Sequence, residues 1–105
     1  MAQDLKSGMD GIVPSVGNLI PDVCQRLYAA TQSGDWTGAA QHTDRMNAVA
    51  ALYQKGRTLA QSLAAIKSLL HLRGLCVPAV FPPLLAVSPA EVEALRGEAA
   101  KLQWA

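Results

Sequence analysis

The chain has 105 residues, a net charge of +1, and is half apolar with only 16% charged residues. That length suits one domain able to bury a sizeable core. No basic block is present to grip a phosphate backbone, so nucleic acid is not expected as a partner; no apolar run approaches the roughly 18 residues of a membrane span, so no membrane is expected either.

The N-terminal MAQDLKSGMDG lacks the basic and apolar regions of a secretory signal, and a cytoplasmic setting is expected. Charge this sparse, against about 25% in an average soluble domain, implies a surface rich in alanine or one meant to be covered.

Residues 1–7 have helical composition and stop at Gly8, as the end of a helix would. Gly11–Val13 is the one good strand candidate, closed by Pro14, which cannot donate to a ladder. A single strand of this length cannot stand alone, because its N–H and C=O groups need neighbours. Pro21-Asp22 then opens a helix with Val23, Cys24, Leu27 and Tyr28 on one face, ending at Ser33-Gly34. Asp35 is the expected N-cap of a longer helix to about Lys55, with Ala39, Met46, Val49, Ala50 and Tyr53 at helical spacing.

Gly56 ends that helix. The next is predicted from Leu59 to about Leu72, with Leu59, Leu63, Ile66 and Leu70 aligned, and stops at Arg73-Gly74. Residues 75–87 contain Pro78, Pro82 and Pro83 and read as an extended connector. Ser88-Pro89-Ala90-Glu91 signals a helix start: an N-cap serine, a proline at the first position and a glutamate able to complete a capping box. Val92, Leu95, Ala99 and Leu102 form its apolar stripe. The expected fold is mainly α: one short strand followed by a helical bundle.

Few constellations carry chemistry. Cys24 and Cys76 lie far apart in apolar stretches and read as buried free thiols. His42 and His71 have no acidic or cysteine companions at ligand spacing, so no metal is expected. Asp22 and Asp44 do not form a catalytic pair. No Gly-rich phosphate loop is present, and GMDG reads as a turn into a strand. Trp36 and Trp104 read as packing anchors.

Four stretches in order resemble the dihydrodipicolinate synthase and N-acetylneuraminate lyase family. GMDGIVPSVGNLIP is similar to the eighth barrel strand and its loop. SGDWTGAAQ is similar to the link after the closing helix, AAIKSLLHLRGL to the lysine-bearing helix, and VFPPLLAVSPAEVEALR to the C-terminal ending. The resemblance implies the end of a TIM barrel, a fold of about 250 residues. Residues 1–34 would hold the tail of helix seven, strand eight and helix eight; residues 35–105 would be the C-terminal helical extension. Strands one to seven would lie outside this chain, which would explain the lone strand.

Family members are class I aldolases and lyases that form a Schiff base between a strand-six lysine and pyruvate or another 2-oxo acid, with no further cofactor. Such a lysine needs the desolvated barrel mouth to lower its pKa. Lys6, Lys55 and Lys67 do not match it, so no catalytic residue is assigned. The position matching Val13 packs beside the pyruvyl group, and that matching Ser15 offers a hydroxyl to the substrate's tail in the sialic-acid branch; these two are the candidate substrate-binding residues. A plain core valine and a turn-capping serine are the competing readings. Asn18 is expected to hold the turn.

Pro14, and QKGRTLAQS in place of the family's Asn-Pro-Ile-Pro stretch, favour a 2-oxo-acid aldolase or sugar-acid dehydratase branch over lysine biosynthesis. The expected function is therefore the C-terminal part of such an enzyme, catalytically incomplete alone. The alternative is a non-enzymatic helical module that self-associates, or docks on a chain carrying the missing barrel, through its charge-poor faces.

Overall fold

The computed structural model describes residues 1–104 and is built from helices. They are α1 (Ala2–Lys6), a short 3-10 turn (Ser15–Asn18), α2 (Pro21–Gln32), α3 (Trp36–Gln54), α4 (Leu59–Leu72) and α5 (Pro89–Lys101). Two compact units divide between Ala48 and Val49, inside α3. The family-segment boundary expected between 34 and 35 falls at the α2–α3 turn.

The expected strand over Gly11–Val13 is not formed. Residues 9–14 have no regular structure, and Val13 is 100% exposed. The cause is the one that made the strand anomalous in the sequence: ladder bonds need a neighbouring strand, and none exists among the described residues. The stretch is tethered to α2 by the Tyr28 hydroxyl, which donates to the Asp10 carbonyl at 3.4 Å.

Helices form where local chemistry satisfies their ends. Pro21 and Pro89 sit in the first turns of α2 and α5, where a missing N–H costs nothing. Gly34, between α2 and α3, has φ +77, a left-handed backbone that other residues resist. Asp35 caps α3 as expected, its Oδ1 accepting from Gly38 N at 2.9 Å. Ser88 Oγ accepts from Glu91 N at 3.3 Å, but the return bond from the Glu91 carboxylate is absent. The reciprocal box forms instead at the start of α4, with Gln61 N donating to Thr58 Oγ1 at 3.2 Å and Thr58 N to Gln61 Oε1 at 2.9 Å.

In the first unit, α1 and the 3-10 turn pack on α2 around Leu5, Val16, Leu19, Val23 and Leu27. In the second, α4 packs on α5. Here the apolar stripe is displaced from expectation. Leu59 and Leu63 are 78% and 44% exposed, and the buried face of α4 is Ser62, Ala65 and Leu69 with their neighbours Ala64, Ile66 and Ser68. Small side chains let two helices approach closely, and the Ser68 hydroxyl is satisfied by donating to the Ala64 carbonyl at 3.2 Å.

The α4–α5 pair runs parallel. Gln61 and Ala64 share a cleft with Ser88 and Glu91 at the N-terminal ends. At the other end, the Arg73 guanidinium lies 4.1 Å over the Trp104 ring and donates to the Trp104 carbonyl. Trp104 is buried by this clamp. Parallel neighbours need a crossover, and the chain from 73 to 88 must return over the roughly 21 Å of a 14-residue helix. Lys67 Nζ donates to the Ala79 carbonyl, and His71 Nδ1 donates to the Cys76 carbonyl at 2.9 Å, so α4 holds the crossover at two points.

Two helical glycines have opposite expected responses to alanine. Gly97, in α5, has open space around its Cα, so Gly97→Ala raises stability by about 0.5–1 kcal/mol from helix propensity. A Cβ at Gly38 would sit 2.9 Å from Asp35 Cγ and closer still to Oδ2. Gly38→Ala therefore displaces the Asp35 cap, a loss of about 1 kcal/mol that cancels the propensity gain. Urea unfolding of the two variants checks the contrast.

Candidate functional site

The segment Ile12–Asn18 carries both candidate substrate-binding residues. Pro14 is extended, with φ −84 and ψ 128, and the chain then tightens into the 3-10 turn. Ile12 is half-buried, whereas Val13 points wholly into solvent and Ser15 is exposed on the turn. The two, separated by Pro14, are both exposed, and Val13 is not a core valine in this chain. Asn18 holds the turn, its Nδ2 donating to the Ser15 carbonyl at 2.9 Å. Gly17 is part of this turn, and a Cβ there would be 3.7 Å from Cys24 Sγ.

Three of the four lysines are engaged within the chain. Lys6 Nζ lies 5.3 Å over the Trp36 ring. Lys55 is exposed after α3. Lys67 is half-buried and bonded to the crossover. Lys101 pairs with Glu98 at 3.0 Å. His42 is half-buried and His71 is an exposed crossover anchor. Among the described residues, no group of three His, Cys, Asp or Glu side chains is placed to hold a metal, and no helix is long and apolar enough to cross a membrane.

Sequence reasoning missed a cleft of about 480 Å3 in the second unit, lined by Lys55, Arg57, Gln61, Ser88 and Glu91 on its polar side and by Leu85, Ala86 and Val87 among its apolar groups. The signal available was Thr58-Leu59-Ala60-Gln61, whose capping box orients Gln61.

Both cysteines are free and half-buried, less covered than their apolar surroundings suggest. Burial pushes the Cys24 thiol above the ordinary thiol range, and the Asp22 carboxylate adds to the rise against a smaller opposing backbone hydrogen bond. The thiol is the protonated, unreactive form at neutral pH. Alkylation of Cys24 by iodoacetamide, followed by peptide mass spectrometry, accordingly keeps accelerating into strongly alkaline solution. Asp22→Asn moves that profile to lower pH, because the thiolate no longer meets a negative neighbour.

Residues 1–101 match the model of the dihydrodipicolinate synthetase family. The chain is also similar to the 4-hydroxy-tetrahydrodipicolinate synthase of Kineococcus radiotolerans, with 37% identity over 98 residues. That alignment takes in 91% of this chain and 30% of the relative, so the chain spans about a third of the length of the curated relative it matches. No solved structure matches it. With the family pattern running across nearly all of its residues, the chain belongs to the dihydrodipicolinate synthetase family.

Proposed function

We propose that this chain is the C-terminal part of a Schiff-base-forming 2-oxo-acid aldolase, lyase or dehydratase, and that it does not turn over substrate alone. The carrying observation is the family match across residues 1–101 combined with coverage of only 30% of a full-length synthase. The placement of the lysines supports it. Amine attack on a ketone needs a neutral, desolvated nitrogen, yet Lys6, Lys67 and Lys101 are engaged with a ring, a carbonyl and a carboxylate, and Lys55 is exposed to water.

In the complete enzyme, Val13 would pack against the pyruvyl group and Ser15 would donate to the substrate's polar tail. Ends of TIM-barrel strands open into the active-site mouth, and exposure of both residues here fits a surface that acquires its walls from barrel strands. A cytoplasmic location belongs to the same reading. Incubation of the chain with pyruvate and borohydride leaves its mass unchanged; a stable adduct at any lysine would overturn the claim of inactivity. Mixing it with a family enzyme from which the matching segment has been removed restores lysine trapping on that enzyme. Failure of the two to associate counts against the segment reading.

A second reading, a helical module that self-associates, draws on the exposed Leu59, Leu63, Phe81 and Leu85. Sedimentation velocity separates them: a monomer at high concentration eliminates self-association, and a defined oligomer that ignores the truncated enzyme favours it.

A further inference from the structure

The structure assigns a second binding site to this chain: the cleft beside the α3–α4 turn, which takes a small organic carboxylate. It is independent of Val13 and Ser15 and of the Schiff-base chemistry.

The argument begins with donors that are fixed but not used up. Arg57 is half-buried, and its Nη1 donates to the Leu52 carbonyl at 2.9 Å. That bond orients the guanidinium, and among the described residues its remaining N–H groups have no partner. Gln61 is oriented likewise: its Oε1 accepts from Thr58 N, which leaves the Nε2 donors unspent. Ser88 Oγ accepts from Glu91 N, so the hydroxyl proton is available. All three residues line one cleft with Lys55. Among the described residues Lys55 forms no ion pair, and Glu91, the sole carboxylate of the lining, lies outside ion-pair distance of both cations.

A guanidinium held in place is suited to a bidentate carboxylate, because little further side-chain entropy is lost when the two bonds form. Leu85, Ala86 and Val87, in the same lining, offer carbon surface to the ligand's body. A cleft of about 480 Å3 accommodates a molecule of several carbons. Apolar lining residues together with oriented donors distinguish this site from one for a bare inorganic anion. Glu91 limits the ligand's charge, so replacing it with a neutral amide strengthens binding.

The test uses the whole chain, labelled with 15N, titrated with succinate at constant ionic strength and in parallel with phosphate and with chloride. Saturable shifts of the Gln61 and Ser88 amides with succinate are expected. Arg57→Ala weakens them about tenfold, the scale of a lost charge-assisted pair. Lys55→Gln, at an exposed position that leaves the fold intact, also weakens them, and Glu91→Gln tightens them. The gain on Glu91→Gln is a response that a merely structural cleft would not give. The assignment is overturned if succinate shifts do not saturate, if chloride reproduces them, if phosphate saturates the site while succinate does not, or if the Lys55 and Glu91 variants leave affinity unchanged.

Discussion

Every backbone N–H and C=O has to find a partner, and this constraint decides which parts of the chain have regular structure. A helix meets it from its own residues, so the helices are self-contained once their ends are capped. A strand meets it only through another strand. Residues 9–14 have no such partner, and they remain irregular even though Ile12 and Val13 are apolar and β-branched. Intrinsic preference amounts to tenths of a kcal/mol per residue, whereas each unmade ladder bond leaves a peptide group that does better in water.

The same accounting separates what was legible in the residues from what was not. Caps and stops are local, and Asp35, Ser88, Gly34 and the prolines at the starts of α2 and α5 could be read directly. The buried face of α4 is a tertiary matter. Spacing at Leu59, Leu63, Ile66 and Leu70 suggested one stripe, but of these only Ile66 is buried; α4 otherwise buries Ser62, Ala64, Ala65, Ser68 and Leu69 and leaves Leu59 and Leu63 in solvent. Hydrophobicity ranks residues by their own preference for burial. It does not know that a close helix neighbour selects small side chains. The cleft was illegible for a related reason, since its two rims are separated by the crossover and meet only through parallel packing.

The stretches matched here are rich in caps, helix stops and packing residues, and the same residues that carry the likeness carry the architecture. Gly34 and Asp35, within SGDWTGAAQ, reverse the chain and start α3. Lys67, within AAIKSLLHLRGL, ties α4 to the crossover. Family membership is thus legible in residues whose work is structural, and a lysine inside a family motif is no guide to the reacting amine.

Parallel packing of α4 and α5 has an electrical consequence. Antiparallel helices attract through their opposed macrodipoles; side by side in the same sense, they repel and concentrate about half a positive charge each at one pole and half a negative charge each at the other. Arg73 sits at the negative pole of both, immediately after α4 and bonded to a carbonyl beyond the end of α5. One guanidinium therefore serves two helix ends at once, and at the opposite pole the carboxylate of Glu91, in the first turn of α5, meets the positive end of that helix.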